Sequence, residues 1–139
     1  MRSSFTFSND VSLIDRPRVH AWLSEHAYWA EGRSRETQEA AIDASRNYGV
    51  WNADGEQVAY ARVVTDGVTF AWLCDVFVDP GVRGNGVGKM LIEGVIADLE
   101  PLGLGRIMLA TADAHGLYAR YGFAPSEDPN RFMIKQMTR

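Results

Sequence analysis

Apolar residues recur along this chain at two spacings, one typical of helices and the other typical of strands. Helical spacing, with apolar residues three or four positions apart, is found in these segments: 17–27, the stretch that follows Ser34, 87–99 and 115–121. Runs rich in β-branched and aromatic residues, typical of strands, are found in these segments: 5–7, 48–51, 58–64, 68–78, 106–110 and 132–136. The pattern predicts an α/β (α+β) fold with the order β-α-α-β-β-β-α-β-α-β.

Turn residues predict how the strands pair. Asp-Gly pairs at 54–55 and 66–67 separate the central strand segments, and Asp-Gly between such runs is a strong hairpin signal. Ser34 is a good N-cap for the second helix, while Pro101 and Gly103 end the third. We therefore expect a mixed, mostly antiparallel central sheet flanked by helices.

The chain has the size and composition of one small domain. Its 139 residues are 46% hydrophobic and 23% charged, which is enough to form one core and leaves little room for a second. No internal repeat, low-complexity tract or linker interrupts the sequence. We therefore predict a single domain over 1–139.

Charge and cysteine content narrow the possible partners. The formal net charge of −4 argues against a broad basic surface for nucleic acid, and no stretch approaches the roughly 18 apolar residues of a membrane span. Cys74 is the only cysteine, and the 3 histidines do not have the spacing of a zinc site. We expect a cytoplasmic protein without metal, nucleic acid or membrane as a partner.

A glycine-rich loop, 83–88, joins the strand segment 68–78 to the helical segment 87–99. Its glycines stand at alternate positions, which lets the backbone pass close to a ligand. The first amides of a helix have no partner within the helix, and the helix dipole adds about half a positive charge at that end. A phosphate is therefore the expected ligand.

The spacing within the loop excludes two common phosphate-binding motifs. A Walker A loop needs four residues between its glycines and Ser or Thr after its Lys. Here Gly84 and Gly88 enclose only 85–87, and Met90 follows Lys89. A dinucleotide loop needs a third glycine where Lys89 stands. We therefore expect a phosphate ligand of another class.

The loop resembles the coenzyme A loop of the GNAT superfamily of acetyl-CoA-dependent N-acyltransferases. The family signature, Arg/Gln-x-x-Gly-x-Gly/Ala after a strand, matches Arg83, Gly86 and Gly88. A second family pattern, Ala-x-x-x-Tyr-x-x-x-Gly-Phe, matches Ala114, Tyr118, Gly122 and Phe123. The resemblance implies the GNAT fold over nearly the whole chain, and acetyl-CoA as the co-substrate.

The resemblance also implies which groups contact the coenzyme. Backbone groups of Phe77 and Val78 would pair with the pantetheine amides where the strand separates from its neighbour at a bulge, and Arg83 would screen the pyrophosphate charge. Backbone amides along the loop and the first helical turn would bind the pyrophosphate: Gly84, Asn85, Gly86, Val87, Gly88 and Lys89. Thr111 stands where many relatives carry an Asn near the pantetheine arm.

Two residues are the candidates for proton transfer. Tyr118 is the expected general acid, because the resemblance places its hydroxyl near the coenzyme sulfur and a phenol is protonated at neutral pH. Asp75 is the leading candidate for the general base, in a strand that resembles the Leu-Glu-Asp-x-x-Val strand of polyamine-type acetyltransferases, with Cys74 in place of their Glu. Asp113 and His115 are alternatives that would act through water. We expect Cys74 to be a buried strand residue rather than a nucleophile, and therefore direct transfer in a ternary complex.

The acceptor pocket is expected between the first two helices and the central strands. The resemblance implies these lining residues: Tyr28, Trp29, Arg33 and Trp72. Such an aromatic pocket suits an amine with an apolar or aromatic body, whereas Arg33 suits an acceptor that carries a carboxylate, as an amino acid does. Both kinds of acceptor stay open.

We therefore predict an N-acetyltransferase that acts on the primary amine of a small molecule. Two alternatives stay open: a protein acetyltransferase acting on a lysine or an N-terminus, and a non-catalytic acyl-CoA-binding sensor. Tyr118 and the glycine loop favour catalysis, whereas Thr111 and the missing strand Glu keep the sensor open. Dimers are common in the resembling family, so a homodimer is a further expectation.

Overall fold

The computed structural model describes residues 4–137. The helices are α1 (Arg16–His26), α2 (Arg35–Asp43), α3 (Val87–Leu99) and α4 (His115–Ala119). The strands are β1 (Thr6–Ser8), β2 (Arg46–Trp51), β3 (Gln57–Thr65), β4 (Phe70–Val78) and β5 (Arg106–Met108). The predicted order is confirmed from the first strand to α4. None of the helices in this range is both long and apolar enough to cross a bilayer.

The strands form one sheet in chain order. Strands β1 to β4 pair antiparallel, and β5 joins β4 in parallel. Both predicted hairpins are present. The loop 52–56 joins β2 to β3, and in 66–69 the carboxylate of Asp66 accepts hydrogen bonds from the amides of Val68 and Thr69. The mostly antiparallel sheet flanked by helices is confirmed.

Helices cover both faces of the sheet. On one face, the apolar stripe of α3, which includes Leu91 and Val95, packs against β2 and β3. On the other face, Trp22 of α1 and Ile42 of α2 pack in a second core that includes Phe77 of β4. Strands β3 and β4 are therefore fixed from both sides, and the site described below is built on them.

A bulge interrupts β4 at Asp75. Arg62 of β3 lies opposite Cys74, whereas Tyr60 lies opposite Phe77, so that one residue of β3 faces two residues of β4. Asp75 has a φ of 52°, in the left-handed region that few residues other than glycine occupy, although Asp is enriched among them. The bulge therefore places an acidic side chain at the one irregular point of the β3–β4 pairing.

The bulge shifts the alternation of side chains along β4. Before the bulge, Ala71 and Leu73 pack in the core under α3. After the bulge, Val76 and Val78 pack against that core, and Phe77 packs against α1 and α2. In a regular strand Phe77 would share the face of Leu73. The extra residue thus exchanges the two faces of the second half of β4.

Strands β4 and β5 separate after a short pairing. The pairing runs from Phe70↔Arg106 to Trp72↔Met108. Strand β4 then continues to Val78, while the chain leaves the sheet after Met108, so β5 is shorter than the predicted 106–110. The second half of β4 therefore has one edge without a partner strand, and a cleft opens beside it.

The strand predicted at 132–136 is wrong. A short 3₁₀ turn, Pro129–Arg131, is followed by a segment without regular structure. Met133 and Ile134 are 93% and 87% exposed. Strand-forming residues make a strand only when a partner edge and a buried face are available. Within the described part of the chain, 132–137 has neither.

Candidate active site

The glycine loop presents unused backbone donors at the start of α3. Gly84 and Gly86 have φ values of 89° and 76°, which suit glycine and strain other residues. Gly86 is the N-cap of α3 and provides no side-chain cap. In the described range 4–137, the amides of Val87, Gly88 and Lys89 donate no hydrogen bond. Neighbouring free donors at a helix N-terminus form a site for an anion.

The polar side chains of the loop and of the first turn of α3 differ in what they contact. The guanidinium of Arg83 donates through Nη2 to the carbonyl of Val78 at 3.3 Å, and Arg83 lines the cavity described next. Asn85 donates its side-chain amide to the carbonyl of Val82 at 2.9 Å, which holds the turn. Lys89 is exposed on the first turn of α3. Of these side chains, only Arg83 is directed to the cavity.

A cavity of about 760 Å³ lies beside the open edge of β4. Its walls come from the connection between α1 and α2, from β3, from the second half of β4 and from the segment 109–118. A Cβ atom built on Gly88 would lie 3.9 Å from side-chain atoms of both Val78 and Leu117, which line the cavity. The glycine loop therefore adjoins the cavity. A smaller cavity of about 440 Å³, near the end of α3, contains none of the predicted site residues.

The residues predicted for the acceptor all line the larger cavity: Tyr28, Trp29, Arg33 and Trp72. The rings of Tyr28 and Trp29 are 5.1 Å apart and nearly perpendicular, and both residues are exposed at the rim. The structure thus brings together an aromatic wall and a guanidinium group. Their role in binding an acceptor stays a prediction.

Asp75 is buried in the wall of the cavity, with 1% of its side chain exposed. Its Oδ2 accepts hydrogen bonds from Arg33 Nη1 at 2.7 Å and from Arg62 Nε at 2.9 Å, and its Oδ1 accepts one from Trp29 Nε1 at 3.0 Å. Burial alone would raise the pKa of Asp75, but hydrogen bonds from Arg33 and the charge of Arg62 outweigh burial and hold this pKa below its ordinary value. Asp75 is thus a stable anion that joins β3, β4 and the α1–α2 connection.

Arg62 is a site residue that the local sequence pattern did not reveal. It lies between buried Ala61 and Val63 in β3, and its Nη1 donates to Ser45 Oγ at 3.1 Å. A charged residue inside an apolar central strand is itself a signal, because a buried charge needs a partner. The carboxylate of Asp75 is that partner.

Phe77 does not reach the cavity. Its ring packs in the second core, 5.3 Å from the ring of Trp22. The amide of Asp79 donates a hydrogen bond to the carbonyl of Val58 in β3. In an antiparallel pair, the backbone groups of every second residue point toward the partner strand. The backbone groups of Phe77 therefore point toward β3, and those of Val76 and Val78 point toward the open edge. Val76 and Val78 also line the cavity. We therefore expect the backbone of Val76, rather than that of Phe77, to pair with the pantetheine.

Tyr118 lines the wall formed by 109–118. The residue is 7% exposed, and its ring meets the ring of Phe123 edge-on at 5.8 Å. Burial raises the pKa of Tyr118, and the charge of Asp113 raises it further, so the hydroxyl is protonated at neutral pH. This hydroxyl has no hydrogen-bond partner among residues 4–137. It is therefore a free donor in the cavity wall.

The remaining proton-transfer candidates differ in position. Asp113 lines the cavity, whereas exposed His115 begins α4 outside the cavity lining. The hydroxyl of Thr111 accepts a hydrogen bond from the amide of Ala114 at 3.0 Å, which holds the turn before α4.

In the part of the chain that the structure describes, no three His, Cys, Asp or Glu side chains are grouped to hold a metal ion. The absence of a metal stays a prediction.

Comparison with known proteins identifies the family of this fold and loop. Residues 16–123 match the model of the Acetyltransferase (GNAT) family. The crystal structure of a GNAT-family protein from Xanthomonas campestris pv. campestris is 45% identical to this chain, with a TM-score of 0.90, and the match covers 96% of this chain and 93% of that one.

Two further relatives are more distant or partial. Serotonin N-acetyltransferase 2, chloroplastic, from Oryza sativa subsp. japonica is 40% identical over 86 residues, which are 61% of this chain and 43% of that protein. The chain thus spans less than half the length of this curated relative. The crystal structure of a Mycobacterium tuberculosis protein in complex with CoA matches this chain with a TM-score of 0.73 at 20% sequence identity. The match covers 88% of this chain and 73% of that one, and at this identity it shows the fold alone.

An Asp75→Asn variant tests the buried ion pairs. Because the pKa of Asp75 is lowered on folding, its ionised form stabilises the fold fully above the unfolded pKa of about 3.9, and this contribution is lost as pH falls toward the folded pKa. We expect the variant to lose about 3–5 kcal/mol in free energy of unfolding at pH 7, since two arginines lose their charged partner. The gap between wild type and variant should shrink as pH falls below about 4.

Urea unfolding of both proteins at a series of pH values measures this gap. Asp54→Asn, the same chemical change in the exposed 52–56 loop, is the control and should cost less than about 0.5 kcal/mol at pH 7. A gap for Asp75→Asn that is below about 1 kcal/mol, or that is the same at every pH, would contradict this account of the ion pairs.

Proposed function

Since the chain belongs to the GNAT family of acetyl-CoA-dependent N-acyltransferases, we propose that it transfers the acetyl group of acetyl-CoA directly to the primary amine of a small molecule. The observation that carries the proposal is the cavity itself. It adjoins the unbonded amides of α3 at one side and is lined by Tyr118, by the open edge of β4 and by the aromatic residues of the α1–α2 connection. One cavity thus brings together the groups that we propose for both substrates, which supports the proposal.

The coenzyme would be held mainly by the backbone. Free amides at Val87, Gly88 and Lys89 suit the pyrophosphate, and Arg83 would add a charge beside them. The open edge of β4 at Val76 and Val78 offers the pantetheine amides the donors and acceptors of a strand. These contacts use main-chain groups, which explains why a loop with glycines is needed there.

The transfer itself needs a neutral amine beside the thioester. The amine nitrogen bonds to the carbonyl carbon, the bond between that carbon and sulfur breaks, and the thiolate leaves. Tyr118 would donate its proton to this thiolate. The attacking nitrogen becomes strongly acidic once it bonds to the carbonyl carbon, so its proton restores the phenol through solvent. Burial keeps Tyr118 protonated until the thiolate forms.

Direct transfer is favoured over an acetylated enzyme. Cys74 lines the cavity and is the chain's single thiol. Burial raises the pKa of Cys74 to about 11, so the thiolate needed for nucleophilic attack is scarce at neutral pH. A ternary complex of protein, acetyl-CoA and amine avoids this step.

The assignment of Asp75 as the general base stays a prediction. Its pKa is lowered by two arginines, and a carboxylate of low pKa is a weak acceptor for the proton of an alkylammonium. We favour a different role in which Asp75 positions Arg33 and Arg62 in the cavity wall. Water beside Asp113 then remains as a route for the proton. Homodimer formation also stays a prediction.

A Gly86→Glu variant tests the coenzyme site by calorimetry. We expect the wild type to bind acetyl-CoA with micromolar affinity and the variant to bind at least about 100-fold more weakly, because a like charge opposite the pyrophosphate costs several kcal/mol. Gly67→Glu is a matched control, since Gly67 has nearly the same φ, 78° against 76°, in a hairpin far from the loop in sequence. The proposal fails if the wild type does not bind acetyl-CoA, or if both variants bind like the wild type.

A Tyr118→Phe variant tests the general acid. We expect kcat for thiol release to fall about 10²–10⁴-fold, with acetyl-CoA affinity within about threefold of wild type, because the phenyl ring still fills the same space. Tyr121→Phe is the control, since the Tyr121 hydroxyl donates to Glu93 at 2.9 Å and Tyr121 is outside the larger cavity. Unchanged turnover in Tyr118→Phe would remove Tyr118 from this role.

A further inference from the structure

The wall of the cavity carries surplus positive charge around Asp75. Arg33 and Arg62 both donate to this one carboxylate, and a guanidinium is charged at every physiological pH. The other charged residues of the lining, Arg83 and Asp113, have opposite signs and lie near the glycine loop and α4. Among residues 4–137, the Asp75 cluster therefore keeps one positive charge without a paired carboxylate, in a chain whose net charge is −4.

Both guanidinium groups retain unused donors. Arg62 uses Nε for Asp75 and Nη1 for Ser45, and its Nη2 donates no hydrogen bond to any residue of 4–137. Arg33 Nη2 reaches Asp75 Oδ1 only at 3.4 Å, which is long for a hydrogen bond. Both residues line the cavity, and their side chains are only 15% (Arg62) and 19% (Arg33) exposed, so they are mostly shielded from solvent. A guanidinium in this state is a site for an anion.

Aromatic surface lies beside these donors. The indole N–H of Trp29 donates to Asp75, which holds this ring next to the two arginines. Tyr28 packs against Trp29, and Trp72 lines the same cavity. A ligand that satisfies both features has an anionic group on an apolar or aromatic body.

We propose that the acceptor is an aminocarboxylate, an amine whose own carboxylate is bound by Arg62 and Arg33. One surplus positive charge matches a monoanion, whereas a phosphate ester would bring nearly two negative charges. A carboxylate that is bound by arginine no longer stabilises the ammonium group of the same acceptor molecule. The ammonium then loses its proton more easily, which prepares the nitrogen for attack. This assignment rests on the proposed acetyl transfer and names its acceptor class.

Binding of non-reactive probes to the CoA-loaded protein tests the assignment without any turnover. Calorimetry compares two isosteric pairs, indole-3-propionate with indole-3-propionamide and 3-phenylpropionate with 3-phenylpropanamide. In each pair the end groups have nearly the same shape, but the carboxylate is charged and only accepts hydrogen bonds, whereas the amide is neutral and its NH2 group donates. We expect the carboxylate to bind about tenfold or more tightly than the amide, the effect of a charge-assisted hydrogen bond. Equal affinity, tighter amide binding, or no binding of any probe would overturn the assignment.

Variants of Arg62 test whether this residue causes the preference for the carboxylate over the amide. In Arg62→Gln, where Asp75 keeps Arg33 as its partner, the preference for carboxylate should fall to within about threefold, and Arg62→Lys should keep part of it. Arg106→Gln, a change at an exposed arginine outside the larger cavity, should leave the preference unchanged. A full preference in folded Arg62→Gln would also overturn the assignment.

Failure of the proposed function has a different signature. If acetyl-CoA does not bind, or if no amine releases thiol, acetyl transfer fails whatever the probes do. If acetyl-CoA binds and tryptamine or phenethylamine releases thiol faster than tryptophan or phenylalanine, acetyl transfer stands and the aminocarboxylate assignment is overturned. Thiol release from the amino acids at higher kcat/KM than from the matching amines supports both.

Discussion

The buried carboxylate of Asp75, held by two arginines and an indole N–H, is the interaction on which the geometry of the site depends. It lies at the bulge of β4, where a left-handed backbone is tolerated because three charge-assisted or polar contacts stabilise it. The bulge in turn moves the side chain of Phe77 into the α1–α2 core, while the side chains of Val76 and Val78 pack against the core under α3 and their backbone groups face the open edge of the strand. One ion-pair cluster thus couples the α1–α2 connection to the strand that leads to the glycine loop.

The cavity and the adjoining glycine loop carry two groups of donors of different chemistry. The chain as a whole is acidic, so the start of α3 and the arginine pair are local regions that favour anions. Backbone amides serve the first region, and guanidinium groups serve the second. Tyr118 and Cys74 also line the cavity, and burial raises the pKa of both groups and so keeps them protonated. A proton donor without a competing nucleophile suits direct transfer.

Features that depend on local pattern were predictable from the sequence, and those that depend on distant contacts were not. The apolar stripe of α3, the Asp-Gly hairpins and the glycine loop are each set by neighbouring residues. The cluster of Arg33, Arg62 and Asp75 joins residues 42 and 13 positions apart, so neither the exact bulge nor the role of Arg62 follows from spacing. The strand at 132–136 failed for a related reason, because local alternation cannot tell whether a free sheet edge lies within reach.

A crystal structure of the protein with CoA tests the central claim most directly, because that claim places the coenzyme between β4 and 109–118. We expect the pyrophosphate on the amides of Val87, Gly88 and Lys89, the pantetheine along Val76 and Val78, and the sulfur within hydrogen-bonding distance of the Tyr118 hydroxyl, about 3.5 Å for a sulfur acceptor. A coenzyme bound in the smaller cavity near the end of α3, or a sulfur directed away from Tyr118, would contradict the account.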